Sequence, residues 1–336
     1  MYKLLVLFIT NISKTMRKII LGRTNEPVSA ISLGSWSYGK ENTSGGSDVG
    51  WAGQNDEDSK SALLKAFSSD INHWDTADVY GEGHSEKIIG SMWKELSRKN
   101  IFLATKVGWD RGPHNHWYHP EYMKTKIEKS LKNLKTNHVD LIYLHHCNFG
   151  KNNEYLDDAV EMVYRFKEEG KTRFIGLSDW SSKRILKFIN TVNPDVVQPL
   201  YNVYDIEYVT SGLKNYAISN NIGVCFFSPI KHGILTGKYD KITEFPKGDF
   251  RGGVKEFKNI DFINKMKLNK EELEIRFSKT HSQPVLNALL GAILYDNPTS
   301  CALLGQRNER QATVAGLLGG ILKKEDALWV LSLFKD

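Results

Sequence analysis

The chain has 336 residues, 40% of them hydrophobic and 25% charged, with a formal net charge of +6. This is the composition of ordinary globular protein, and the length suits one large α/β barrel or two smaller domains. The charge is mild for the length, and no dense Lys/Arg block with interleaved aromatics occurs, so no nucleic-acid partner is expected.

Along the chain, "YKLLVLFIT" comes first. It is apolar but too short to span a bilayer, and no small-residue cleavage site follows it. Residues 1–15 are therefore read as an N-terminal tail, and 16–336 as a single domain with no membrane partner. Eight short apolar or β-branched runs follow: "AISLGSW" (30–36), "INHWDTA" (71–77), "IFLATKVG" (101–108), "DLIYLHH" (140–146), "RFIGLSD" (173–179), "VVQPLYN" (196–202), "GVCFFSP" (223–229) and "CALLG" (301–305). Between them lie stretches such as "EDSKSALLKAFSSD", "HSEKIIGSMWKEL", "PEYMKTKIEKSLKNL", "YLDDAVEMVYRFKEEG" and "SKRILKFINTV". Their apolar residues recur three and four apart, the helical period. "SEKIIG" and "HPEYMKT" carry helix-start chemistry, and Gly170 reads as a helix stop.

Continuous apolar strands alternating with helices predict an α/β fold, a (β/α)8 TIM barrel, in which both faces of each strand are buried. An open doubly wound sheet is the rival, but no G-x-G-x-x-G follows the first strand. Two Gly-rich segments break the rhythm, 37–56 and 230 to about 270. Long loops in compact domains are usually functional or disordered. Three distant cysteines, Cys147, Cys225 and Cys301, show no metal or disulfide spacing; each sits in an apolar run and reads as a core thiol. That favours a reducing, cytoplasmic setting. The cluster "HNHWYH" (114–119) fits no metal-ligand pattern, so no metal is expected. It is expected to wall a substrate pocket with Trp51 and Trp109; Trp36 and Trp180 read equally as core or pocket.

In a barrel, the polar residues that end the strands converge on one face. Here they are Asp75, Lys106, His145 and His146, Ser178 and Asp179, Gln198 and Ser228, with Tyr80 in the loop after the second strand. A lysine paired with a carboxylate can hydrogen-bond a phenol and is expected to lower its pKa from near ~10. Such a phenol can protonate a developing alkoxide, and a histidine can orient the carbonyl oxygen. The missing reagent is a hydride, which requires a cofactor.

The motifs "DTADVYGEGHSE" (75–86), "ATKVG" (104–108), "VDLIYLHH" (139–146), "GKTRFIGLSDWS" (170–181), "VVQPLYNVYD" (196–205), "FFSPIKHGILTGKY" (226–239) and "LLGQRNERQ" (303–311) resemble, collinearly, those of the aldo-keto reductase superfamily. The resemblance implies a (β/α)8 barrel that binds NADPH without a Rossmann motif and reduces an aldehyde or ketone. It implies Tyr80 as general acid, Lys106 and Asp75 as its tuning pair, and His145 as the carbonyl-orienting residue. It places Ser178, Asp179 and Gln198 on the nicotinamide amide and Phe227 on its ring. Ser228, Ile230, Gly233 and Leu235 would line the pyrophosphate and ribose path. Gly305, Arg307 and Gln311 would hold the adenosine end, with Arg307 facing the 2′-phosphate. Asp179 departs from the family's usual Asn, Phe227 from its usual Tyr, and Ala315 stands where an Asn is frequent. Two other readings stay open: a nucleotide-sensing regulatory protein resembling potassium-channel β subunits, and a keto-sugar reductase of modified-sugar metabolism. The sequence does not name the substrate or the oligomeric state.

Overall fold

A strand that is apolar on both faces can be buried on both faces only between a core and a layer of helices. The computed structural model, which describes residues 16–44 and 46–335, builds the chain on that rule. The expected tail, 1–15, lies outside the described residues. An antiparallel hairpin comes first, β1 (Lys18–Ile20) and β2 (Pro27–Ser29). The barrel strands are β3 (Ile31–Gly34), β6 (His73–Asp75), β7 (Phe102–Val107), β8 (Val139–Leu144), β9 (Thr172–Asp179), β10 (Val196–Pro199), β11 (Gly223–Phe226) and β12 (Ser300–Gly305). They close in chain order, every neighbour parallel, with β12 pairing back to β3. All eight coincide with the runs expected from sequence. A two-residue ribbon, β4 (Thr43–Ser44) with β5 (Ser47–Asp48), sits in the first long loop.

Helices α1 (Asp56–Ser68), α2 (His84–Ser91), α3 (Pro120–Leu134), α4 (Leu156–Glu168) and α5 (Ser182–Val192) follow successive strands. Pro120 opens α3, where its missing N–H costs nothing, and Gly170 takes a positive φ of 71° just past α4. Ser85 does not cap α2; its hydroxyl donates to the Ser35 carbonyl, 2.9 Å away, and ties the helix to the strand-3 exit. The short α6 (Glu207–Thr210) and α7 (Leu213–Ser219) complete the next crossover. The Gly-rich segment after 230 is not one long loop. It holds three 3₁₀ turns and then α8 (Ile260–Phe277), whose start is capped by the Asn259 side chain. Helices α9 (Pro284–Leu294), α10 (Glu309–Ala315) and α11 (Lys324–Leu333) end the chain.

The core has two compartments. The larger lies between strands and helices. The smaller fills the barrel, where Phe102, Ala104, Leu141, Tyr143, Val196 and Leu303 meet Ile19, Leu21, Val28 and Ala30 of the N-terminal hairpin. The hairpin thus seals the end opposite the strand C-termini. All three cysteines are buried, as expected. Cys225 and Cys301 are register neighbours, and with His73 they place three potential ligand atoms within 4.8 Å of one another. Sequence spacing gave no hint of that cluster.

Candidate active site

At the strand C-termini, parallel register brings side chains from different strands to one level. Asp75 ends β6 and Lys106 lies near the end of β7, both almost fully buried. The Lys106 ammonium donates to Asp75 Oδ1, to the Thr76 carbonyl at 2.8 Å and to the Tyr80 hydroxyl at 3.4 Å. The second Asp75 oxygen accepts from Gln198 Nε2 at 2.9 Å. Three separated stretches, 75–80, Lys106 and Gln198, thus form one network.

Tyr80 is held by a turn that only glycines permit. Gly81 has φ of 59°, and a Cβ there would lie 2.3 Å from the Gly39 carbonyl oxygen. The two backbones touch, which presents the Tyr80 ring against Trp36, stacked at 6.0 Å and 20°. His145 follows β8, its ring edge-on to Tyr80 at 6.1 Å and flat on His146 at 5.1 Å.

The electrostatics correct one expectation. Burial raises the Tyr80 pKa, and although Lys106 pulls it down, the net shift is upward. The phenol keeps its proton, and Lys106 is placed to stabilise the phenolate that loss of that proton would leave. Burial pulls Lys106 down, but Asp75 and Tyr80 more than reverse it, so the ammonium stays charged. Burial, His146 and Lys106 together hold His145 well below its usual range, so its ring is neutral.

Above the network opens a cavity of about 440 Å³. Its walls include Trp36, Trp51, Trp109 and Trp180, so both ambiguous tryptophans face the pocket. Residues 114–119 do not line it. His114 stacks on His119 at 4.3 Å and His116 on Tyr155 at 4.4 Å, packing against each other rather than walling the site.

Candidate cofactor residues fall into three groups, two of them expected from sequence. Ser178, Asp179, Gln198, Phe227, Ser228, Ile230, Gly233, Gly305, Arg307 and Gln311 line the cavity. Leu235 does not; it is fully buried in the outer core. Several that do line it are already engaged. The Ser178 hydroxyl donates to the Gln198 carbonyl at 3.0 Å, and the Asp179 carboxylate accepts from the backbone N–H of Cys147 and of Ser181, each at 2.8 Å. Arg307 donates through Nε to Gln54 Oε1 at 3.0 Å and through Nη2 to the carbonyls of Ala52 and Gly53 at 2.8 and 2.6 Å. Its Nη1 makes no hydrogen bond among the described residues.

The third group was not foreseen. Lys238 and Arg251 also line the cavity, at the Arg307 end. Burial lowers the Lys238 pKa, and Arg251 and Arg307 lower it further; it has no ion pair among the described residues. Arg251 is paired with Asp249, Nε to Oδ1 at 2.9 Å and Nη2 to Oδ2 at 2.6 Å, so the net positive charge here comes from Lys238 and Arg307, a site suited to anionic groups such as phosphates. The loop after β11 adds backbone to that site, with positive φ at Ser228, Lys231, His232 and Gly233. Successive residues in such conformations can turn N–H groups into one concavity. The signal for Lys238 was present in "LTGKY", but nothing local distinguishes it from a surface lysine.

Comparison with known proteins agrees with this architecture. The family model described as "Aldo/keto reductase family" matches residues 30–312. "Aldo-keto reductase YhdN" of Bacillus subtilis is 28% identical over 308 residues, covering 90% of this chain and 89% of that protein. "Aldo-keto reductase yakc [NADP(+)]" of Schizosaccharomyces pombe is 31% identical over 220 residues, 63% of this chain but only 64% of that protein's length. An Arabidopsis thaliana "Probable voltage-gated potassium channel subunit beta" is 28% identical over 250 residues, 71% of each chain. Among solved structures, the glycerol dehydrogenase AKR11B4 from Gluconobacter oxydans superposes with a TM-score of 0.75 at 26% identity, covering 96% of this chain and 95% of that one.

Proposed function

The chain belongs to the aldo/keto reductase family, and from that premise we propose that it reduces a small aldehyde or ketone to an alcohol with NADPH as reductant. The observation that carries the reading is the meeting of Asp75, Lys106, Tyr80 and His145 at one cavity floor. Bound across the strand C-termini, NADPH would supply a hydride to the carbonyl carbon. Tyr80 gives its phenolic proton to the carbonyl oxygen. Lys106, kept charged by Asp75, stabilises the phenolate left behind. Neutral His145 offers an N–H to the same carbonyl oxygen without competing as an acid. The tryptophan walls keep water from the reacting atoms.

The preference for NADPH over NADH rests on Lys238, Arg251 and Arg307, with the free Nη1 of Arg307 assigned to the 2′-phosphate. Among the described residues no helix is long and apolar enough to cross a membrane. The likeness to the Arabidopsis channel subunit favours a second reading, a nucleotide-bound regulatory protein. One experiment separates the two: a panel of aldehydes and ketones, with NADPH oxidation followed by absorbance and NADPH binding by fluorescence. Turnover on any of the carbonyls supports the reductase. Tight NADPH binding without oxidation across the panel would support the regulatory reading instead.

A further inference from the structure

Buried charges in proteins are normally paired, because an isolated one is expensive. Asp179 breaks that rule. It ends β9, is 2% exposed and lines the cavity, yet it forms no ion pair among the described residues. Backbone N–H groups of Cys147 and Ser181 each occupy one carboxylate oxygen at 2.8 Å and fix its orientation. They supply dipoles and no countercharge. Arg184 is solvent-exposed, in a shallow cleft on the outer side that Asp179 also lines; it offers Asp179 a screened positive charge but no hydrogen bond or ion pair among the described residues. Glu207, whose carboxylate accepts from Ser182 N at 2.6 Å, adds negative charge behind Asp179. The other charges at this end cancel, since Lys106 is paired with Asp75. Asp179 therefore has no close countercharge, burial raises its pKa, and a cation placed beside it would meet a carboxylate of sign opposite to the Lys238 end.

Asp179 is adjacent to Ser178 and pairs in register with Pro199, the residue after Gln198. These are the positions assigned above to the nicotinamide amide, and the present inference rests on that reading. A reduced nicotinamide ring is neutral and an oxidised one is cationic. We propose that Asp179 selects the redox state of the cofactor, binding the oxidised, cationic ring in preference to the reduced, neutral one. In the proposed reaction the bound cofactor would supply a hydride, with its electron pair, to the carbonyl carbon, and Tyr80 would give its proton to the carbonyl oxygen. The positive charge that appears on the ring then meets the waiting carboxylate. The equilibrium on the protein is drawn toward alcohol, and the oxidised cofactor leaves slowly.

The test is a pair of dissociation constants, for NADP+ and for NADPH, measured by fluorescence titration on the full chain. The wild type should bind NADP+ at least as tightly as NADPH. Asp179→Asn should shift the ratio of the two constants toward NADPH by roughly 10- to 100-fold. That is the size expected of opposite charges ~6–10 Å apart at an effective dielectric of ~20. Asparagine can satisfy only one of the two backbone N–H groups. Should the variant not fold, Asp179→Ser, smaller and neutral, gives the same ratio test. General distortion of the site weakens both forms alike and cancels in the ratio. Equal weakening of both cofactors, or a wild type that strongly prefers NADPH, overturns the inference. A wild type that binds neither cofactor overturns the proposed function and this inference with it.

Discussion

The two ends of this barrel are made from the same eight strands and obey opposite rules. At the sealed end, Leu21 and Val28 of the hairpin pack on Phe102 and Leu141, and apolar contact is nearly the whole content. At the open end, Asp75, Lys106, Gln198, Ser178, Asp179 and His145 are all buried, and polar contacts fill the space. Two residues of one short strand make the point. His73 and Asp75 are both fully buried on β6. His73 sits against Phe102 with one ring nitrogen, Nδ1, 2.9 Å from Ser32 Oγ and the other, Nε2, unpartnered, while Asp75 has both oxygens hydrogen-bonded. Inside the barrel, apolar packing dominates at one end and polar contacts at the other. A mutation at one end should therefore leave the other end's property largely intact.

The sharpest way to break that comparison is Tyr80→Phe, which removes the proton donor and little volume. Carbonyl reduction should fall ~10²–10⁴-fold, with the unfolding midpoint nearly unchanged and NADPH still bound. Lys106→Met should also cripple turnover, and the double variant should be little worse than the poorer single, because the pair acts as one donor. Near-wild-type kcat in Tyr80→Phe, with the chemical step rate-limiting, would sink the mechanism.

The converse change is at the sealed end. Leu21 is fully buried, and Leu21→Ala should cost about 2–5 kcal/mol of stability in a denaturant titration. Turnover per folded molecule should hold. A selective loss of kcat without loss of stability would show that the two ends are mechanically coupled.

Within the open end, Arg307→Ala should weaken NADPH by about 1.5–3 kcal/mol, the range for hydrogen bonds to charged groups. NADH should be nearly unaffected by loss of the phosphate contact. The same guanidinium tethers residues 52–54, however, so a smaller, equal loss for both cofactors would mean that its structural bonds dominate.

The smallest effect is on acid stability. His146 and His232, both lining the cavity, are held down to about 4 from an ordinary 6.5, each chiefly by burial. Between those values the unfolded chain binds the extra protons, so stability is lost as pH falls from about 6.5 toward 4. At pH 5 the loss should be about 1–2 kcal/mol per histidine. Replacing both by Gln should reduce the pH dependence of the unfolding free energy, leaving the share of His145 and His116, which burial also holds below 6.5. An unchanged slope would place the acid-sensitive groups elsewhere.

Much of this molecule was legible from sequence because the relevant signals are local. Alternation of apolar runs with 3.6-period stretches needs a window of a dozen residues, and it located all eight strands. The polar residues ending those strands had to converge once the barrel closed, so Asp75, Tyr80, Lys106 and His145 could be named before any coordinates. What only the tertiary structure decided depends on sums over distant chain. The Tyr80 pKa rises because burial by many neighbours outweighs one lysine. Leu235 faces the core and Lys238, three residues on, faces the cavity, a matter of how one 3₁₀ turn is docked. Arg307 is latched to a loop some 250 residues earlier. Cys225, Cys301 and His73 become neighbours only because β12 closes the ring against β3 and so comes near β6. Among the described residues Asp179 forms no ion pair for the same kind of reason: a charge's partner is set by three-dimensional proximity, and no pattern of spacing along the chain encodes an absence.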